Sequence, residues 1–130
     1  MIVIRDLPAI DAIPDPDLRY LIQQRAAALA EYELPLADLA LFIIVQPGDT
    51  ITAIDDCLGF SILANRWTGI RYGQSGFTPS WEVIEEHAHW YELVFVLSDD
   101  GFGVYVFVPK DSAINPKLLA MCSAYATHGA

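Results

Sequence analysis

Apolar positions along the chain change their period several times, and each change marks an expected element. Residues 2–4 read as a short edge strand, followed by an extended, proline-containing segment through Pro14. Leu18, Leu21, Ile22, Arg25, Leu29 and Tyr32 then recur at spacings of three and four, with alanines between them. That period, with Asp15 at the N-cap and Pro16 at the first helical position, predicts a helix over about residues 16–32. Residues 39–46 are apolar at nearly every position and close at Pro47-Gly48, which predicts a central strand buried on both faces. Asp49 or Thr50 then caps a short helix with Ile51, Ile54 and Leu58 on one side and Gly59 at its end.

In the second half, Thr78-Pro79 signals a helix with Trp81, Ile84 and Ala88 on one face and Glu82, Glu85 and Glu86 largely on the other. The runs 90–97 and 102–108, separated by Ser98-Asp99-Asp100-Gly101, predict a β-hairpin. Asn115-Pro116 opens a last helix carrying Leu118, Leu119, Met121, Cys122 and Tyr125 to about residue 126. The sum is an α+β fold: a small, largely antiparallel sheet with a hairpin at about 90–108, packed by about four helices. No linker composition and no internal repeat divides the 130 residues, so a single domain over 1–130 is expected.

Composition excludes several classes. A hydrophobic share of 54% and a mean hydropathy of +0.34 rule out an intrinsically disordered chain. Seventeen acids against seven bases give a net charge of −10, so the basic footprint that phosphate binding needs is missing and direct nucleic-acid binding is not expected. Cys57 and Cys122 form no C-x-x-C pair and read as inert free thiols in a reducing compartment. The opening residues lack the basic region and apolar run of a signal peptide, and the longest apolar run, 39–45, is far short of a membrane span. A cytoplasmic protein without membrane contact is the expectation.

Catalytic motifs fail on inspection. No phosphate-binding G-x-x-x-x-G-K-[ST] occurs, and Gly69, Gly73 and Gly76 lack dinucleotide-binding spacing. Gly73-Gln74-Ser75-Gly76 misses the nucleophile elbow because Phe77 stands where its last glycine would be. No cofactor is implied, and the balance leans away from an enzyme. One constellation has metal-ligand character: His87, His89 and Glu92. Two histidines flanking one residue point to the same face of a strand, and a carboxylate could complete a triad for a first-row metal. The pattern is similar to the first cupin motif, but the gap to Glu92 is too short and the second cupin motif is absent. On a single strand Glu92 would face away from both histidines, and on a helix the histidines would lie about 200° apart. The plainer expectation makes His87 and His89 a helix end and its exit.

The longest acid-free stretch runs between Asp56 and Glu82, and its only charges are Arg66 and Arg71. Arg66, Trp67, Arg71, Tyr72 and Phe77 would suit a surface that holds an anionic or aromatic group, through bidentate hydrogen bonds or cation–π contact. Alternatively the aromatics are core residues and the arginines pair with surplus carboxylates. Whether 60–77 is strand or loop stays open. The acidic residues could mimic a phosphate backbone, as an inhibitor of a DNA-binding protein would. Caps at Asp15 and Asp49 and turn chemistry at Asp99-Asp100 account for several of them first.

The block 90–109, with Gln46-Pro47-Gly48-Asp49-Thr50 and Thr78-Pro79-Ser80-Trp81-Glu82, resembles small uncharacterised proteobacterial proteins, some carried on mobile elements. The resemblance implies a bacterial accessory protein and transfers no catalytic residue. Together these readings favour a non-enzymatic bacterial protein-binding module, with a protein partner or self-association as a homodimer. A small metal-dependent enzyme or metal-binding protein using His87 and His89 is the alternative, and the acidic mimic is a second.

Overall fold

A computed structural model describes residues 1–96, 102–110 and 116–126 of the chain. Strand β1 (Ile2–Ile4) leads into helix α1 (Leu7–Asp11), then α2 (Pro16–Leu29), a 3-10 turn (Ala30–Tyr32) and α3 (Leu36–Leu39). Strand β2 (Ala40–Ile44), α4 (Ile51–Leu58), β3 (Glu82–Glu86), β4 (Trp90–Val96), β5 (Gly103–Pro109) and α5 (Pro116–Tyr125) follow. The class is α+β, with five α-helices among the described residues.

The five strands form one sheet in the order β1-β2-β5-β4-β3. Only β2 and β5 pair in parallel; the other three pairings are antiparallel. β1 lies at an edge, and β2 sits between β1 and β5, where Phe42 and Ile43 on its two faces are fully buried. Partners in register share a face, which sorts the core into two sets. Ile4, Phe42, Ile44 and Phe107 pack with Ile10 of α1 and Leu18, Ile22 and Ala26 of α2. Ile43, Val83, Leu93, Phe95, Val104 and Val106 pack on the other face with Ile54 of α4 and Leu118, Met121 and Cys122 of α5. The result is three layers, helix on sheet on helix.

Local signals explain most boundaries. The Asp15 carboxylate accepts from Asp17 and Leu18 N–H at the start of α2. Thr50 Oγ1 accepts from Ala53 N–H at the start of α4, and Gly59 ends that helix at φ +82°, a left-handed conformation costly for other residues.

Several expectations are corrected. The segment before Pro14 is not wholly extended, because Asp6 caps α1 by accepting from Ala9 N–H. The helix expected from Thr78-Pro79 is instead β3. Trp81 and Val83, two positions apart, are both buried while Glu82 and Ile84 are exposed, so the period is that of a strand, and β4 supplies the ladder. His87 and His89 consequently lie in the turn between β3 and β4, not at a helix end, with His87 N–H bonded to Trp90 C=O. Strands β4 and β5 pair antiparallel from Trp90↔Pro109 to Val96↔Gly103. The turn signal Ser98-Asp99-Asp100-Gly101 and Asn115 lie outside the described residues. No helix among the described residues is long and apolar enough to cross a membrane.

Candidate functional site

Two features carry chemistry, one on each side of the sheet. The first is a loop between α4 and β3. Residues 60–77 form no strand, only an isolated bridge between Ala64 and Arg71. Asn65, buried to 7% exposure, organises the loop from within. Its Oδ1 accepts from Trp67 and Thr68 N–H at 2.8 and 3.0 Å, and its Nδ2 donates to Thr78 C=O at 2.8 Å. Arg66 N–H donates to Ser80 Oγ, and Gly69 at φ +75° lets the chain turn back. Trp67 is thereby held 70% exposed.

The Arg66 guanidinium lies 4.8 Å from the Phe60 ring centre and 4.6 Å from that of Trp67. Tyr72 is exposed and meets Phe77 edge-on at 5.9 Å, while Phe77 packs half-buried against the core. Neither arginine joins an ion pair among the described residues. The arginines are therefore not spent on the surplus carboxylates, and only Phe77 among the three aromatics belongs to the core.

The second feature is a charged cluster under α2. Glu92, between Trp90 and Val94 on β4, faces the α1/α2 layer and is fully buried. Arg25 of α2 holds it from above: Nε donates to Oε2 at 2.9 Å and Nη2 to Oε1 at 2.7 Å. The same Nη2 donates to Glu85 Oε2 at 2.8 Å, and His87 Nε2 lies 3.0 Å from Glu92 Oε1. Glu85 is the register partner of Glu92, so adjacent strands bring like charges side by side and Arg25 compensates both. The hydrogen bond to Glu92 raises the Arg25 pKa above its ordinary value. Burial raises that of Tyr105, and the Glu92 charge adds to the effect.

The donor atoms of Glu85, His87 and Glu92 lie within 4.8 Å of one another, a set compatible in type with a first-row divalent metal. His89 is not among them; it is exposed beside Trp90, at 6.2 Å between ring centres. Of the sequence triad, His87 and Glu92 meet and His89 does not. The parity argument that set Glu92 against His87 holds along one strand, but the turn at 87–89 folds β4 back and removes it. Arg25 Nη2 already bonds both carboxylate oxygens that a metal would use.

Sequence reasoning missed Arg25 and Glu85 as partners of Glu92. The signal was present: Arg25 falls on the apolar stripe of its helix, and Glu92 interrupts an apolar strand. Opposite charges on two buried faces are compensated when they meet. No family model matches the chain, and no match was found among curated proteins or solved structures.

Proposed function

We propose that this chain is a non-enzymatic protein-binding module, acting as a bacterial cytoplasmic accessory protein, whose contact surface is the loop of Arg66, Trp67, Arg71 and Tyr72. The observation that carries the reading is Trp67, 70% exposed on a loop that a buried asparagine holds in place. Tryptophan, tyrosine and arginine contribute most at interfaces, and a loop ordered beforehand loses little entropy on binding. Residues 57–81 carry two bases and no acid, so the surface favours an acidic protein partner.

A second reading, divalent metal binding, is favoured by one observation, the proximity of Glu85, His87 and Glu92. It requires Arg25 to leave both carboxylates, which weighs against it. Acidic mimicry has less support, since Asp6, Asp15 and Asp55 accept backbone hydrogen bonds and Glu85, Glu86 and Glu92 pair internally.

The test is quantitative affinity capture from a bacterial lysate, with sedimentation velocity of the purified chain. A Trp67→Ala/Arg71→Glu variant is compared with the wild type and with Tyr20→Ala, a control at another exposed aromatic. The reading expects a protein, or a second copy, held by wild type and control and reduced at least tenfold in the loop variant. Identical capture and sedimentation for all three would refute it.

A further inference from the structure

The loop that presents Trp67 holds one side chain whose chemistry is only half used. Phe95 of β4 is buried, Phe60 packs edge-on against it at 5.2 Å between ring centres, and the Arg66 guanidinium lies 4.8 Å from the Phe60 ring and 4.6 Å from that of Trp67. A run of contacts thus leads from the core to the exposed indole, with Arg66 inside it. The backbone is fixed as well: Arg66 N–H donates to Ser80 Oγ at 2.6 Å and Trp67 N–H to Asn65 Oδ1 at 2.8 Å. Cation–π contact uses the charge of a guanidinium and leaves its N–H groups able to donate. None of those in Arg66 has a hydrogen-bond or ion-pair partner among the described residues, although the chain carries a net charge of −10. Arg25, by contrast, commits its Nε and Nη2 to Glu92 and Glu85.

We propose that Arg66 anchors the contact loop by taking the carboxylate of an aspartate or glutamate on a partner protein in a bidentate pair, with an apolar residue beside that acid packed on Trp67. The inference rests on the protein-binding reading of this loop and names what the loop recognises. A carboxylate matches the guanidinium fork, and ring contacts that restrain Arg66 beforehand reduce the entropy lost when the pair forms. An exposed pair of this kind contributes little by itself. The partner's apolar residue, seated on Trp67, excludes water from the pair and strengthens it, so the two contacts act together. A monoanionic carboxylate is preferred to a dianionic phosphate, because a chain of net charge −10 opposes each added negative charge. Arg66 and Trp67 are both open to solvent, a surface suited to an extended peptide segment.

Selection from a random dodecapeptide library displayed on phage, against the immobilised full chain, tests the proposal. Enrichment of aspartate or glutamate beside an aromatic or aliphatic residue is expected. The most enriched peptide is then synthesised with its acid intact, with the acid replaced by its amide, and with the acid replaced by phosphoserine. Each is titrated into the full chain while the Arg66 Nε–H and the Trp67 indole N–H are followed by NMR. The intact peptide should shift both resonances saturably, and the amide should bind at least about tenfold more weakly, as the loss of charge-assisted hydrogen bonds requires. Arg66→Lys keeps the charge without the fork and should weaken the intact peptide to a similar extent. Selection without acid enrichment, an unmoved Arg66 Nε–H, equal or tighter binding of the phosphoserine peptide, or undiminished binding to Arg66→Lys would each overturn the proposal. The wild-type titrations stand even if Arg66→Lys fails to fold. Lysate capture separates this inference from the reading beneath it: a partner lost in Trp67→Ala/Arg71→Glu but kept in Arg66→Lys leaves the contact loop standing and removes Arg66 as its anchor.

Discussion

Arg25 and Glu92, 67 positions apart, meet in a bidentate pair in which Nε and Nη2 each take one carboxylate oxygen, at 2.9 and 2.7 Å. Helix α2 is thereby tied to β4 through the only fully buried carboxylate among the described residues. A pair like this adds little net stability over an apolar replacement, but removing one partner leaves the other charge stranded.

That asymmetry sets the first expectation. Arg25→Met should destabilise the chain by about 3–5 kcal/mol, whereas the double variant Arg25→Met/Glu92→Leu should recover most of the loss. Urea unfolding at neutral pH measures both. A double variant no more stable than Arg25→Met would show that the stranded charge is not the cause.

Helix α4 depends on its two ends. Thr50→Ala removes the acceptor for Ala53 N–H and should cost about 1 kcal/mol. Gly59→Ala meets no steric obstacle, but it forces alanine to φ +82°, at a further cost of about 1–2 kcal/mol. The two sites share no partner, so thermal unfolding of the double variant should show roughly additive losses.

The two thiols should separate by accessibility and by pH. Cys122 is buried in the α4/α5 layer, and burial pushes its thiol up from 9.0 to about 12, whereas Cys57 is half-buried. A disulfide reagent at pH 8 should therefore modify Cys57 first and leave Cys122 intact until the chain opens. Between pH 9 and 12 the unfolded chain loses the Cys122 proton while the folded chain keeps it. Stability should then fall as pH rises, by about 1.4 kcal/mol per pH unit from this group. Unfolding of Cys122→Ala across that range should show a correspondingly shallower decline.

Asn65 is expected to control the loop that presents Trp67. Asn65→Ala removes the acceptor for two backbone N–H groups and the donor to Thr78 C=O, a loss of about 1–3 kcal/mol. Asn65→Asp should not rescue it, because a second oxygen then faces the Thr78 carbonyl. Hydrogen exchange at the Trp67 and Thr68 amides should accelerate in both variants, and unchanged protection would remove Asn65 from its organising role.

Much of this molecule is written in local sequence. The α2 start is legible because Asp15-Pro16 satisfies and pre-shapes the first turn by itself. The α4 boundaries follow from Thr50 and Gly59 in the same way, and the run 39–46 announces the central strand found at Ala40–Ile44 because it is apolar at every position but its last. Capping, turn and periodicity signals act within a few residues, so they need no knowledge of the fold. The segment 81–86 was not legible. Its glutamates suit the first turns of a helix, and only the β4 ladder, with the burial of Trp81 and Val83, selects the strand. The charged cluster has the same character. Arg25 and Glu92 each look misplaced on an apolar face, and what makes them compatible is that α2 lies over β4. Trp90 likewise reads as an ordinary strand aromatic, and only the packed fold buries its indole N–H without a hydrogen-bond partner. Local structure follows from interactions a residue makes with its neighbours in sequence. Which charges compensate one another, and which donor is left without a partner, follows only from the layers the chain packs together.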